Sequence, residues 1–280
     1  MNETAINWTE LTWNPASGCD KISAGCKFCY AETLAENKRG TAAFPVGFDV
    51  VEKPHKLGEP GKIRKPSLIF TNSMTDMFHA DISDAYRDRI IDAMNGASRH
   101  RFQVLTKRPD RARDFFRTRK VPASMWLGTT IEHQQTAWRL DVLREIDAPV
   151  RLLSCEPLLG PLVLDLSGVA WVIAGGESGV HMARPDIAEE RGIAHKLEGK
   201  WAPREDRADW VRTLRDQTKA AGASFWFKQW GGTRPHSAGR LLDGRTWDEL
   251  PEHVVGAMPA GYVHRTPYDS KPQLALDVLS

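Results

Sequence analysis

Six short apolar runs, separated by amphipathic stretches, constrain the fold of this chain more than any other feature. The runs cover residues 67–70, 101–106, 125–131, 150–154, 169–175 and 224–229. Near-continuous apolar runs of this length are typical of parallel strands that are covered on both faces. Helical patterns lie between many of them, at 83–97, 108–120, 132–146 and 208–222. The alternation predicts a parallel α/β fold.

Each predicted strand runs directly into a polar segment. These segments are residues 71–76, 106–109, 129–134, 154–157, 175–179 and 228–232. Barrels and open parallel sheets bind their ligands at the carboxyl ends of the strands. Turns are polar for their own reasons, but Lys, Glu, Asp, Asn and Gly directly at strand ends favour one wide active-site mouth.

Composition and charge narrow the class of protein. The chain has 280 residues, of which 41% are hydrophobic and 26% charged, as in soluble globular proteins. The net charge of +2 does not by itself favour a nucleic-acid partner. The first residues lack a signal-peptide pattern, and no apolar run approaches the roughly 18–20 residues that cross a bilayer. We therefore expect a cytoplasmic protein without a membrane partner.

Two segments fall outside the strand–helix alternation. Residues 49–66 are rich in Pro, Gly and Lys and are predicted to form a loop. Residues 187–207 are strongly charged, which indicates either a solvated insertion or a lid over the mouth. We expect a single domain over 1–251, while 252–280 forms a C-terminal tail to which no structure is assigned.

Three of the four cysteines lie in one short segment, at Cys19, Cys26 and Cys29. Thiolates select zinc, Cu(I) or iron–sulfur clusters, and a structural zinc site commonly has a second half-site that is missing here. Three thiolates on a four-iron cluster leave one iron open for a further ligand such as S-adenosylmethionine. The loop alone leaves an iron–sulfur cluster, zinc and redox-active or buried thiols as alternatives. Cys155, at a strand end, is interpreted as a small buried hydrophobe.

Several motifs together resemble those of the phage Gp37/Gp68 family, DUF5131. They extend from Ile6 to Pro251 and read INWTELTWNPASGCDKISAGCKFCYAE, TNSMTDMFH, FQVLTKRP, WLGTTIE, EPLLGPL, WVIAGGESG, FWFKQWGG and GRLLDGRTWDELP. That family is similar to a divergent branch of the radical S-adenosylmethionine (radical SAM) superfamily. The resemblance implies a partial (β/α)6 TIM-like barrel of the radical SAM type. The usual superfamily spacing is CxxxCxxC, whereas six residues separate Cys19 from Cys26 here.

The resemblance also implies a set of site residues. Cys19, Cys26 and Cys29 become ligands of a [4Fe-4S] cluster, with Phe28 and Tyr30 shielding it. The residues implied to bind S-adenosylmethionine are Asn72, Ser73, Asp76, Thr129, Glu132, Ser154, Gly175 and Gly176. The catalytic candidates are Lys107, Glu156, Glu177 and Lys228, and Arg108 and Gln229 are expected in the same mouth.

The implied activity is that of a radical SAM enzyme, which generates a 5′-deoxyadenosyl radical and takes its electron from a donor such as flavodoxin or ferredoxin. The basic stretch 107–120 is either a solvated helix or a phosphate-contacting rim. Together with the phage association of the family, the second interpretation favours DNA, RNA or a nucleoside as substrate. A peptide or small metabolite is the alternative substrate. A non-catalytic protein with structural zinc is the alternative class.

Overall fold

A computed structural model of the chain describes residues 1–262. Most of the tail predicted for 252–280 therefore lies outside the described residues, and the domain boundary at 251 stays a prediction. Within 1–262 the chain forms twelve strands: β1 (Asn2–Glu3), β2 (Leu11–Trp13), β3 (Ala16–Ser17), β4 (Val51–Glu52), β5 (Leu68–Thr71), β6 (Arg101–Thr106), β7 (Met125–Thr130), β8 (Val150–Cys155), β9 (Trp171–Gly175), β10 (Ala194–Leu197), β11 (Lys200–Pro203) and β12 (Ser224–Gln229).

Seven α-helices connect or flank these strands: α1 (Tyr30–Glu36), α2 (Glu59–Lys62), α3 (Asp84–Gly96), α4 (Pro109–Phe116), α5 (Trp138–Arg144), α6 (Pro185–Arg191) and α7 (Glu205–Ala220). Local chemistry sets several of their ends. The Ser83 hydroxyl accepts a hydrogen bond from the Tyr86 amide at the start of α3. Gly222, with φ of 71°, follows α7 in the left-handed region that commonly ends a helix. None of the helices in residues 1–262 combines the length and the apolar character needed to span a membrane.

Eight of the strands form one sheet, in the order β1-β2-β5-β6-β7-β8-β9-β12. The seven strands from β2 to β12 are parallel, and β1 pairs with β2 in the antiparallel sense. Because these seven run in the same direction, their carboxyl ends share one edge of the sheet. The predicted mixed α/β class is confirmed.

The structure also corrects several predicted elements. The parallel part of the sheet begins with β2, a three-residue strand that was not among the six apolar runs. The segment 49–66, predicted as a loop, contains β4 and α2, and the segment 187–207 contains most of α6 and the β10–β11 hairpin. The helix predicted over 132–146 starts only at Trp138, because residues 134–136 form a 3-10 turn with His133 as its cap.

The parallel sheet is curled, and the evidence is the position of Trp8. Phe70 on β5 and Trp171 on β9 lie four strands apart, a separation of about 19 Å in a flat sheet. The Trp8 ring centroid nevertheless lies 4.7 Å from that of Phe70 and 6.1 Å from that of Trp171. One indole can reach both rings only if the sheet bends around it. Since no pairing joins β1 to β12 in the described chain, the curled sheet stays open.

The two faces of the curled sheet have separate apolar cores. The outer face packs against the helices, for example through Ile90 and Leu214. The inner face is rich in tryptophan, with Trp171 edge-to-face against both Trp126 and Trp226. Leu250 and Ala257 belong to this inner core. The segments before β2 and after β12 therefore fill the trough that the curl creates.

Replacing Trp8 by alanine tests the role of its indole. The side chain is 3% exposed, so we expect Trp8→Ala to lower the free energy of unfolding by about 3–5 kcal/mol, the usual cost of removing a buried aromatic ring. Urea unfolding followed by circular dichroism measures the change. Trp138→Ala, at a side chain that is 49% exposed, is the matched control, and an equal loss in both variants would contradict the packing argument.

Candidate functional site

The cysteines lie on a loop, residues 18–29, that connects β3 to α1 and crosses the carboxyl ends of the parallel strands. We call these strand ends the mouth. At one end of the loop, Cys19 meets Arg108, which follows β6. In its middle, the Gly25 amide donates to Glu132, beyond β7, at 3.2 Å. At its other end, Phe28 stacks on His181, beyond β9, with ring centroids 4.2 Å apart.

Cys19 lies beside a buried ion pair. The Arg108 Nη1 is 3.5 Å from the Cys19 sulfur and 3.2 Å from Asp76 Oδ2. Burial and the nearby Asp76 charge raise the pKa of the Cys19 thiol, and Arg108 offsets only part of that rise. Uncoordinated Cys19 is therefore held towards its protonated form.

The Asp76 carboxylate, predicted to bind the cofactor, accepts hydrogen bonds from four donors of the chain. Its Oδ1 accepts from the Phe78 amide at 3.0 Å and from the Thr106 hydroxyl at 2.8 Å. Its Oδ2 accepts from the Lys107 amide at 2.9 Å and from Arg108. Since four donors from the chain already surround this carboxylate, it fixes the loops after β5 and β6 rather than facing a ligand.

Cys26 has the opposite electrostatic environment. Its burial acts to raise the thiol pKa, but the positive charge of Lys107 and hydrogen bonds from the backbone of Ile22 and Ser23 outweigh it. The net result is a pKa below the usual value for cysteine. The Ser23 hydroxyl is 3.8 Å from the sulfur, so of these two thiols Cys26 forms the thiolate more readily.

Phe28, the aromatic residue between Cys26 and Cys29, lies between two side chains from beyond β9. It stacks on His181 with an interplanar angle of 9°, and the Arg191 guanidinium lies 5.3 Å from its ring centroid. Glu177 forms a buried ion pair with Arg191 at 2.5 Å, and its Oε1 lies 3.2 Å from His181 Nε2. Glu177 thus holds Arg191 beside the loop, and its catalytic role stays a prediction.

Glu132, implied to contact the cofactor, is also occupied by the chain. Its side chain is fully buried, and Oε2 pairs with Arg139 at 2.9 Å. Burial would raise the pKa of this carboxyl, but hydrogen bonds from Ser23 and Gly25 and the charges of Arg139 and Lys107 lower it. Glu132 is therefore a buried carboxylate that binds the cysteine loop.

Strand alternation decides which other candidates face the inside of the curl. Ser154 and Glu156 continue the inner-face series of Leu152, and Lys228 continues that of Trp226. The Lys228 Nζ lies 3.2 Å from Glu156 Oε1, so this pair joins the ends of β8 and β12 across β9.

Thr129 and Cys155 lie on the other face of the sheet. Thr129 lies between Leu127 and Ile131 of the outer core, and its hydroxyl donates to the Thr106 carbonyl at 2.8 Å. The structure therefore does not bring Thr129 into the mouth. Cys155 is fully buried in the outer core, and burial raises its thiol pKa. Its environment agrees with the interpretation as a small hydrophobe.

At both glycines that are implied to bind the cofactor, packing leaves no room for a larger side chain. A Cβ on Gly175 would lie 2.6 Å from Glu156 Oε1, and one on Gly176 would lie 2.0 Å from the Trp230 carbonyl oxygen. Gly175 therefore makes room for the Glu156 carboxylate inside the mouth. Gly176 allows the loops after β9 and β12 to touch, and Gln229 adds a hydrogen bond to Ser178 there at 3.1 Å.

Asn72 and Ser73, directly after β5, differ in their hydrogen bonding. The Ser73 hydroxyl bonds Asn14, and its carbonyl accepts from the Tyr30 hydroxyl at 2.7 Å. Asn72 has a φ of 63° and is 3% exposed, yet neither its Oδ1 nor its Nδ2 has a hydrogen-bond partner among residues 1–262. Burying an unpaired amide costs free energy, which makes this side chain at a strand end a candidate for binding a ligand.

The thiols themselves are not arranged as a metal-binding group. All four cysteines are free, and in the part of the chain that is described no three His, Cys, Asp or Glu side chains are grouped to hold a metal ion. The structure thus brings Cys19, Cys26 and Cys29 to one mouth without closing them around a common point. Their assignment as ligands stays a prediction.

Sequence reasoning missed the residues that support the loop, namely His79, Arg139, His181 and Arg191. His79 bonds Asp20, next to Cys19, at 2.9 Å. Arg191 lies in the segment 187–207, and the sequence does not distinguish it from the many other charged residues there. These side chains reach the loop only through the tertiary fold, so no local sequence motif predicts their role.

The fold and the site define a mixed α/β protein with a curled, largely parallel sheet and a cysteine loop across its carboxyl edge. A family model described as "Protein of unknown function (DUF5131)" matches residues 3–193 and 198–251. The chain belongs to this family, as its motifs predict. The unmatched residues between the two segments, 194–197, are strand β10 of the hairpin.

Among solved structures, the chain is similar to "Spore photoproduct lyase complexed with dinucleoside spore photoproduct". The identity is 13%, the TM-score is 0.47, and the match covers 76% of this chain and 75% of that chain. A similarity this low does not assign a reaction to this chain. No curated protein matches it.

The different environments of the two thiols predict different reactivity towards iodoacetamide. Because the pKa of Cys26 is lowered and that of Cys19 is raised, Cys26 in metal-free protein should be alkylated at lower pH. Lys107→Met removes a positive charge and should move the Cys26 midpoint to higher pH. Mass spectrometry of the alkylated peptides between pH 6 and 10 measures both midpoints.

The control for this experiment is Lys120→Met, at an exposed lysine of the segment that follows α4. It should leave both midpoints in place. An equal shift in the two variants would mean that net charge, and not the position of Lys107, sets the reactivity of Cys26.

Proposed function

We propose that this protein is a radical SAM enzyme that holds a [4Fe-4S] cluster through Cys19, Cys26 and Cys29. The observation that carries the proposal is the course of the cysteine loop, which crosses the carboxyl ends of β6, β7 and β9. Substrates of parallel α/β folds bind at this edge. Three thiols presented there suit a cofactor that must contact both the protein and a substrate.

The chemistry of the donors fits the cluster. Thiolates are the usual ligands of iron–sulfur clusters, and the environment of Cys26 favours its thiolate form. Cys155 lies in the outer core and so cannot supply a fourth thiolate, which leaves one iron open. Held by these three cysteines, the cluster would supply the one electron that cleaves S-adenosylmethionine to methionine and a 5′-deoxyadenosyl radical.

Other residues of the mouth have roles that follow from their positions. The unpartnered amide of Asn72 is suited to the polar groups of S-adenosylmethionine. Arg108, 3.5 Å from the Cys19 sulfur, would donate a hydrogen bond to that ligand, and such bonds tune a cluster's potential. Lys228 and Glu156 would hold or move a proton between Nζ and Oε1, beside the substrate.

Anaerobic reconstitution with iron and sulfide tests the proposal. We expect a brown protein that, once reduced, cleaves S-adenosylmethionine to 5′-deoxyadenosine. Cys26→Ala should lose the cluster because two thiolates do not hold it, whereas Cys155→Ala should keep the iron content of the original protein. Iron retained in Cys26→Ala would contradict the ligand assignment.

The same experiment separates the enzyme from its main alternative, a binding protein with structural zinc. Zinc would be held tightly and stoichiometrically, and no cleavage of S-adenosylmethionine would follow reduction. That result would remove the proposed activity.

The basic stretch 107–120, expected to contact a nucleic-acid substrate, is less suited to that role than another cationic surface. Most arginines of the basic stretch 107–120 are paired or hydrogen-bonded: Arg113 with Glu145, Arg117 with Asp114, Arg119 with Asp88 and Arg111 with the Phe78 carbonyl. Three of these four arginines face a carboxylate, and Arg111 is held by a neutral carbonyl, so this stretch is less available to phosphates than its composition indicates.

Cations at the mouth lack such partners. Lys196 and Lys200 on the β10–β11 hairpin and Arg234 after β12 are exposed and form no ion pair among residues 1–262. The hairpin adjoins the mouth, because Trp201 Nε1 donates to the Thr233 hydroxyl at 3.1 Å. We propose this cationic rim, Lys196, Lys200 and Arg234, as the surface that contacts phosphates.

Binding of DNA and tRNA at several salt concentrations tests the cationic rim. We expect log affinity to fall with log salt, and Lys196→Ala/Lys200→Ala/Arg234→Ala to flatten the duplex-DNA slope by about 0.9 for each phosphate that the rim no longer neutralises. Arg113→Ala/Arg117→Ala/Arg119→Ala removes the same charge and should leave the slope nearly unchanged. A slope near zero for the original protein would instead favour a peptide or small metabolite.

A further inference from the structure

A single peptide group in the cysteine loop is held at both of its ends. The peptide joins Ala24 to Gly25. Its N–H, on Gly25, donates to Glu132 Oε1 at 3.2 Å, and its C=O, on Ala24, accepts from Arg191 Nη2 at 3.1 Å. The two partners come from different parts of the mouth, since Glu132 follows β7 and Arg191 ends α6.

Each partner is itself fixed by a buried ion pair. Glu132 pairs with Arg139, and these side chains are 0% and 3% exposed. Arg191 pairs with Glu177, and these are 4% and 5% exposed. Separating a buried pair leaves an uncompensated charge away from water and costs several kcal/mol. The two groups that hold the peptide therefore have little freedom to move.

Holding this peptide sets the position of Cys26. Residues Ala24–Cys26 form a 3-10 turn, in which the Cys26 amide donates to the Ser23 carbonyl at 2.9 Å. A turn this short transmits the orientation of its first peptide to the next residue. Gly25 also fits the contact closely, since a Cβ there would lie 3.2 Å from Glu132 Oε1.

We infer that Glu132 and Arg191 are positioning residues, which clamp the Ala24–Gly25 peptide and so fix Cys26 over the mouth. The clamp deepens the proposed function, on which it rests for the role of Cys26 as a cluster ligand. It gives Glu132 and, through Arg191, Glu177 a task different from the cofactor and catalytic roles implied by resemblance. Its geometry is a property of the metal-free chain and can be tested there.

Hydrogen exchange of the metal-free protein, followed by mass spectrometry, tests the clamp. In Glu177→Gln/Arg191→Met both charges of the pair are removed together, so no buried charge is left unpaired. We expect exchange in the peptide that spans 20–28 to become about fivefold to tenfold faster, as for the loss of one protecting hydrogen bond. Arg240→Met/Asp248→Asn removes a partly buried pair elsewhere and should leave that peptide unchanged.

A second variant keeps the test decisive if the double variant does not fold. Gly25→Ala retains both ion pairs and places its Cβ against Glu132, whereas Gly61→Ala adds a Cβ that meets nothing within 4 Å. Faster exchange of 20–28 in Gly25→Ala alone supports the clamp. Unchanged exchange, or an equal rise in the control, overturns it.

The test of the clamp and the test of the proposed function can fail independently. If wild-type protein forms no cluster, the proposed activity fails while hydrogen exchange still decides the clamp. If a cluster forms, the electron paramagnetic resonance spectrum of the reduced protein should change in Gly25→Ala and not in Gly61→Ala. An unchanged spectrum in both would mean that the clamp does not position a ligand.

Discussion

The indole of Trp8 packs against both Phe70 on β5 and Trp171 on β9. In a flat sheet these two strands would lie about 19 Å apart. The curl that results turns the row of strand ends into a mouth that one loop can cross. Residues 18–29 do cross it, from Arg108 after β6 to His181 after β9. The site therefore depends on an apolar contact at the inner face of the sheet.

Buried charge is the second feature on which the site depends. Glu132–Arg139 and Glu177–Arg191 are nearly free of solvent, and a buried ion pair is weak evidence for stability because desolvation offsets the attraction. A role in orientation gives a better reason for such pairs. Each pair forms one further hydrogen bond to the Ala24–Gly25 peptide. These two bonds restrict the movement of Cys26, the next residue.

The electrostatic asymmetry of the loop follows from the same scaffold. Cys19 lies near Asp76, which opposes its ionisation, while Cys26 lies near Lys107, which favours it. A metal or cluster assembling here would meet one thiolate that forms readily and one that must give up its proton on binding.

The sequence by itself determined the strand–helix alternation, the bounds of β6 and β12, the polar strand ends, the three clustered thiols and the family. These are local patterns, and apolar periodicity or a short motif is enough to reveal them. Only the tertiary structure decided that Thr129 faces the outer core, that Asp76 is surrounded by donors and that Glu132 and Glu177 hold the loop. It also decided which cations among residues 1–262 form ion pairs. Strand register and contacts between different segments of the chain set these outcomes, and no pattern within one stretch of sequence contains them.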